Sequence, residues 1–516
     1  MKKVVIIGAG PAGLSTAYHL LINSNDYEII IIEQNEFVGG ISKTIDYNGN
    51  KMDLGGHRFF TKNKEVMKLW ETMLSPQNNP SLDEIILNVR NEYSDNGKNP
   101  EKEDNVFLKR RRISRIFYKN KFFDYPVTLS IKTIKKLGIK DTIISGISYL
   151  KSCIKKLDEF NLENFYINRF GRKLYEIFFQ DYTEKLWGIH PIKIDSSWGS
   201  QRVKGISIKT ILIDFIKKVF RIKNNKKEVS LIESFYYPKY GPGQMYEVMT
   251  KKIKEMGGKI FLNSKVIKIN KNNDIIESIV YYNGNKTIKI DKIDYLISSM
   301  PIKDLVNAMN NVPNNIRKIA VKLPYRDFIT IGIIIDKLNI KNNTKIKTIN
   351  NIIPDTWIYV QDKNVKLGRI QVFNNWSPYL LTDINKVSLG LEYFCQENDD
   401  FWNLSNKELF EYAKNELIKM GFIDNNVILY DYHVEKVKKA YPAYFGSYNK
   451  FPYLKKYLND INNLFCIGRN GMHRYNNMDH SIESGIVCAN NIISNISEKD
   501  NIWNVNTNDS YHEEKK

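Results

Sequence analysis

Residues 4–15, VVIIGAGPAGLS, constrain this chain more than any other segment. Four apolar β-formers run directly into Gly8, Gly10 and Gly13, spaced G-x-G-x-x-G at the junction of a strand and a helix. The first glycine permits a tight turn, the second lets backbone approach a pyrophosphate, and the third lets helix pack on strand. Pro11 and Ala12 complete the turn, and the phosphates are expected at the positive end of the helix. The pattern predicts a strand at 3–7, a helix at 11–22 and a second strand at 28–33 that ends on Glu33. Glu33 stands 20 residues after Gly13, placed to accept ribose hydroxyls and to disfavour a 2′-phosphate. Gly39 and Gly40 follow as a second close approach of backbone to the same pyrophosphate.

At 516 residues the chain exceeds one compact core, and two or three domains are expected. A net charge of +20 suits polyanions, yet Lys and Arg are spread along a chain equally rich in Asn and Ile. That spread points to an anionic small substrate and to no nucleic-acid partner. Cys153, Cys395, Cys466 and Cys488 contain no CxxC pair, and the histidines show no HxxxH or HExxH spacing. Neither a disulfide framework nor a metal site is expected. The opening segment is not read as a signal peptide, because glycines interrupt its apolar run and no small-residue cleavage site follows. The remaining sequence contains no apolar run long enough to span a bilayer. The chain is therefore expected to be cytoplasmic, with membrane contact peripheral at most and homo-oligomerisation left open.

The pattern predicts an α/β fold: a Rossmann-like dinucleotide domain, discontinuous in sequence, with an inserted helical domain and an antiparallel-sheet substrate domain. The boundaries read as 1–75 plus 235–305 plus 455–496 for the first, 128–230 for the helical insert, and 76–127 plus 306–454 for the antiparallel sheet. Residues 497–516 read as a frayed polar tail. Residues 92–105 are turn-rich and expected to be a mobile surface insertion. Residues 113–127 alternate as a hairpin turning near Lys119-Asn120, and 259–269 read as one strand. The helices between 129 and 225 are expected to show solvated basic outer faces.

A second motif, GRNGMHRYNNMDHSIESGI at 468–486, lies more than 400 residues beyond the first. With the Gly39-Gly40 pair it resembles the FAD-binding amine oxidase and protoporphyrinogen oxidase superfamily. That resemblance implies FAD held by both ends of the chain, with Gly468, Arg469 and Asn477 in the second half of the site and the Val266 backbone at the adenine. DLGGHRFF at 53–60 is similar to the Gly-Gly-His loop of eukaryotic UDP-galactopyranose mutases. There Gly56 and His57 would lie beside the isoalloxazine.

The resemblance to the UDP-galactopyranose mutase family covers most of the chain. YTEKLWGIHPIKIDSSWGSQRVKG (182–205) matches a tryptophan followed by an arginine, here Trp187 and Arg202. DTWIYVQDKNVKLGRIQVFNNWSPY (355–379) supplies Trp357, Tyr359 and Arg369, KAYPAY supplies Tyr441, and YNNMDHS supplies Tyr475. Arg202 and Arg369 are the expected catalytic cations, charged forks that neutralise a departing diphosphate, with His57 beside the cofactor. The family mechanism implies a reduced flavin whose N5 attacks the anomeric carbon of a nucleotide sugar, with no net redox change. NAD(P)H entering the substrate cleft is the candidate reductant, since no second G-x-G-x-x-G is present. HRFFTK and the short Tyr475–Asn477 interval depart from the family pattern and leave another nucleotide sugar open. An oxidoreductase of the amine oxidase type is the alternative, because one fold serves both chemistries. A flavoprotein scaffold whose basic helices bind membrane is a third.

Overall fold

The computed structural model describes residues 1–125, 131–196, 198–199 and 234–507. Arg202 lies outside the described residues, as does the later part of the 128–230 helical region.

Five short strands form a parallel sheet in the order Lys259–Phe261, Tyr27–Ile32, Lys2–Ile7, Tyr295–Ser298 and Leu464–Cys466. Runs such as VVII and IIII are buried on both faces, which explains why they read as continuous apolar segments without alternation. The sheet draws on the beginning, middle and end of the chain. The helix Pro11–Asn23 packs against the helix Met478–Ile493 so closely that a Cβ on Gly485 would lie 2.5 Å from the Ala12 carbonyl oxygen. Thr16 Oγ1 and Ser15 Oγ also donate across this seam, to the carbonyls of Gly485 and Ile482. The two distant motifs are thus fixed against each other.

A second sheet has seven strands, ordered Leu429–Pro442, Tyr325–Ile335, Val387–Cys395, Arg369–Val372, Trp357–Val360, Ser114–Tyr118 and Lys121–Asp124. All neighbours are antiparallel except Trp357–Val360 with Ser114–Tyr118, which run parallel. Ile331, Ile358, Ile370 and Leu391 share one face and pack with Leu409, Ala413 and Leu417 of the helix Asn406–Lys419. Burying each large aliphatic chain contributes about 1.5–3 kcal/mol, so this face is the anchor of the sheet.

Register sets the opposite face. Tyr359 pairs with Arg369, Arg369 with Glu392, Glu392 with Thr330, and Thr330 with Glu435, giving one polar row across five strands. Two residues along, Trp357, Gln371, Gly390, Gly332 and His433 form a second row on the same face. The hairpin Thr44–Tyr47 and Asn50–Asp53 lies on this face, because a Cβ on Gly332 would meet Met52 Sδ at 2.5 Å.

Some expectations are corrected. Residues 259–269 form two strands: the chain leaves the parallel sheet after Phe261 and enters a three-stranded antiparallel sheet at Lys265–Asn272. Residues 92–105 are tied down by backbone bonds, with Lys98 donating to Pro76 and accepting from Asn78. The segment after 497 carries a short helix, Asp500–Trp503, whose Trp503 is buried and donates to Asn459. The hairpin over 113–127 is present, with Lys119 and Asn120 at φ 46° and 57° as a tight twisted turn demands. The helix Ile139–Ile154 exposes Lys140 and Lys151 as a basic outer face requires, but it also turns isoleucines outward beside them, which was not expected.

Candidate functional site

The glycine turn takes the form that the motif requires. Gly8 holds φ 103°, and a Cβ on Gly13 would lie 2.0 Å from the Gly8 carbonyl oxygen. Gly10 caps the helix Pro11–Asn23 without any side-chain bond, which leaves its first-turn amides for a ligand. Gly39 donates to the Ala9 carbonyl at 2.8 Å, and Gly10 and Gly40 face each other without side chains between them. Glu33 accepts from the Ala9 amide at 2.8 Å and the Asn35 amide at 2.9 Å, and a carboxylate so held has lone pairs to spare. Ser264 donates to the Glu33 carbonyl, which brings the strand bearing Val266 to the end of Tyr27–Ile32. Gly468 at φ 72° sits against Ala12, and Asn477 caps the helix Met478–Ile493. These residues form a backbone cradle of the shape and charge that an FAD pyrophosphate and ribose need.

The hairpin on the second sheet runs straight from Asp53 into Gly55, Gly56 and His57. Gly55 adopts φ 101°, and a Cβ there would come within 3.5 Å of Glu392 Oε1. A Cβ on Gly56 would overlap the Trp357 ring at 1.8 Å, so only glycine fits. His57 lies deep in the molecule yet keeps part of its surface exposed. Burial, then the charge of Arg469, pushes its pKa down to about 3, so the imidazole is neutral at ordinary pH. Among the described residues its Nδ1 and the Trp357 Nε1 are buried without hydrogen-bond partners, two polar atoms that a bound group could satisfy.

Arg369 stands at the centre of the polar row. Its Nε donates to Tyr182 Oη at 2.5 Å, and its Nη1 donates to Glu392 at 3.2 Å and Tyr441 Oη at 3.4 Å. Nη2 is the guanidinium nitrogen that these three side chains do not hold. The guanidinium lies over the rings of Trp357 and Phe394, 5.1 Å and 4.8 Å from their centroids. Burial opposes its charge, but Tyr182, Tyr441 and Glu392 outweigh that, and Arg369 stays protonated. Burial pushes the Glu392 carboxyl up while Arg369 pulls it back, and Gln371 donates to its other oxygen. Tyr441 stacks on Tyr475 at 5.4 Å, and Arg469 lies over both rings. Tyr359 meets Trp357 and, edge-on, Tyr182.

Five of the substrate residues expected from sequence, Trp357, Tyr359, Arg369, Tyr441 and Tyr475, therefore converge, and Gly56, His57 and Arg469 join them. Trp187 is fully buried and packs edge-on to Trp198; on the same helix, Asp181–Trp187, it is Tyr182 that reaches Arg369. Sequence reasoning missed Tyr182 and Glu392. The signal for Glu392 was present as a lone carboxylate in the apolar strand LGLEYFC. A surface cleft of about 320 Å³ beside Arg110, Arg111 and Lys347 shares no residue with this cluster. Among the described residues no group of His, Cys, Asp and Glu is arranged to hold a metal, and no helix is long and apolar enough to cross a membrane.

The profile of the family described as flavin-containing amine oxidoreductase matches residues 11–493. Over the whole chain the fold is similar to that of reduced UDP-galactopyranose mutase, with a TM-score of 0.76, 21% identity and coverage of 99% of this chain and 100% of that one. Wild-type putrescine oxidase bound to putrescine is similar at a TM-score of 0.55 and 13% identity, covering 96% and 99%. Zeta-carotene desaturase of Capsicum annuum is 38% identical over 77 residues, 15% of this chain and 13% of the desaturase. The chain thus aligns with about an eighth of that desaturase's length.

Proposed function

The chain belongs to the flavin-containing amine oxidoreductase family, and on that premise we propose that it interconverts the pyranose and furanose forms of UDP-galactose or a close relative. FAD is the cofactor. When bound and reduced, it supplies a nucleophilic N5 for the anomeric carbon.

The chain's own share in this reading is binding, orientation and charge. Arg369, held from two sides by Tyr182 and Glu392, presents Nη2 to a diphosphate whose charge grows as the sugar leaves. Tyr441 and Tyr475 offer hydroxyls to phosphate oxygens and close the pocket with their stacked rings. Trp357 touches both Gly56 and Arg369, so the diphosphate grip and the His57 loop meet at one ring. Arg202 is the proposed second cation. Neutral His57 adds a hydrogen-bonding group beside the ring system without adding charge. The observation that carries the proposal is this junction of a buried, charged Arg369 with the Gly56–His57 loop.

A desaturase-type oxidoreductase is the second reading, favoured by the local identity to zeta-carotene desaturase. A cleft centred on a buried arginine, two tyrosines and a glutamate suits a phosphorylated substrate better than a hydrocarbon. The discriminating experiment is to reduce the flavoprotein anaerobically, add UDP-galactofuranose and follow UDP-galactopyranose. Conversion with the reduced protein and none with the oxidised protein supports the mutase. Anaerobic bleaching of the oxidised flavin by an added carotenoid or amine, which gives its two electrons to the FAD, with no sugar conversion by the reduced protein, supports the oxidoreductase.

A further inference from the structure

The helix Ile139–Ile154 is inside out. Its buried side consists of Ser145, Tyr149 and Ser152, whereas Ile139, Ile143, Ile147, Leu150 and Ile154 are each more than half exposed. Their spacing of four, four, three and four residues makes one continuous stripe along the helix. Phe160, in the turn that follows, is 81% exposed. Among the described residues nothing covers this face, and a Cβ on Gly146 beside the stripe would meet nothing within 4 Å. A soluble helix normally turns such a stripe toward a core, and an apolar patch of this length marks a contact surface.

Charge says what kind of surface it meets. Lys140, Lys151, Lys155 and Lys156 are all exposed, and Lys140, Lys151 and Lys155 flank the stripe along one side. The helix has a single carboxylate, Asp141, which faces away toward Lys173 at 3.6 Å. A second copy of the chain would bring the same lysines together with no acid on the helix's own stripe to meet them, since Asp158 and Glu159 lie beyond its end and Glu159 is held by Arg169. A sheet of anionic headgroups over an apolar layer matches both the lysines and the isoleucines. We propose that the helix Ile139–Ile154 lies flat in the interface of an anionic lipid membrane, with its isoleucine stripe among the acyl chains and its lysines at the headgroups. The site around Arg369 then works at a membrane surface, without any segment that spans it.

The test uses the full-length flavin-loaded protein, floated with vesicles of phosphatidylcholine alone or of phosphatidylcholine mixed with phosphatidylglycerol. The wild type should partition onto the anionic vesicles roughly tenfold or more over the neutral ones. The double variant Ile143→Asp/Ile147→Asp and the triple variant Lys140→Glu/Lys151→Glu/Lys155→Glu should each fall to background, with flavin content and melting temperature unchanged. Wild-type protein that ignores anionic vesicles, or variants that still bind them, would overturn the proposal. So would a wild-type dimer in sedimentation equilibrium that the isoleucine variant dissociates, since a second copy would then own the stripe. A melting temperature lowered by more than a few degrees in the isoleucine variant would give the stripe to the chain's own interior and overturn it equally.

Discussion

The two walls of the cleft are built on opposite plans. The parallel-sheet wall is built from backbone: Gly8, Gly10, Gly13, Gly39 and Gly40 permit close approaches around an uncapped helix start, where the cofactor's phosphates would sit. The seven-stranded wall works with side chains, placing Tyr359, Arg369 and Glu392 in one row by register alone. A backbone site tolerates change in side-chain chemistry but no added volume. A side-chain site tolerates conservative volume but no lost charge. The difference implies that the two walls fail in separable ways.

The largest effect is expected on the side-chain wall. Arg369→Ala strands Glu392 as a buried carboxylate without its partner, which should cost about 3–5 kcal/mol of stability in urea unfolding. Turnover of whatever substrate the protein uses should fall by roughly 10²–10³-fold, while bound flavin is retained in the fraction that stays folded. Gly13→Val attacks the other wall. Its Cβ would strike the Gly8 carbonyl at 2.0 Å, and the purified protein should lose its flavin absorbance at a cost of about 3 kcal/mol. Equal flavin loss in both variants would erase the contrast.

The hairpin between the walls offers a pH test. Tyr237 Oη donates to Asp53 at 2.6 Å, and burial lifts the Asp53 carboxyl from 3.8 to about 8. Between those values the unfolded chain releases a proton that the folded chain keeps, so stability falls as pH rises from about 4 to about 8 and levels off above. Asp53→Asn should remove that slope, and thermal melts across the range will show whether it does. The smallest effect belongs to Asn477→Ala, which deletes a helix cap and should cost about 1 kcal/mol with flavin still bound.

The backbone wall was legible in sequence because its glycines are contiguous and local. Gly8, Gly10, Gly13 and Glu33 declare a turn within one strand–helix–strand unit, and no other part of the chain is needed to interpret them. The side-chain wall is assembled from segments near 57, 182, 357, 369, 392, 441 and 475; strand register aligns 357, 369 and 392, and packing of a helix, two loops and the end of another strand brings in the rest. Resemblance supplied most of those positions, but Tyr182 was hidden beside the more conspicuous Trp187, and Glu392 inside an apolar strand. The break between Phe261 and Lys265 was illegible because KIFLNSKVIKI alternates well enough for one strand, and only the sheet switch divides it. The outward isoleucines of Ile139–Ile154 were misread because periodicity shows that a helix has two faces without showing which one is covered.

The central claim is that Arg369 and the Gly56–His57 loop belong to one site that grips a diphosphate beside the flavin. Titrating UDP into the FAD-loaded protein while recording the flavin spectrum tests it directly, with Arg369→Lys as the partner measurement because it keeps the charge opposite Glu392 but loses the fork. The account predicts a saturable spectral shift in the wild type and a Kd weaker by about tenfold or more in the variant. A flavin spectrum indifferent to UDP, or an affinity that Arg369→Lys leaves unchanged, would contradict it.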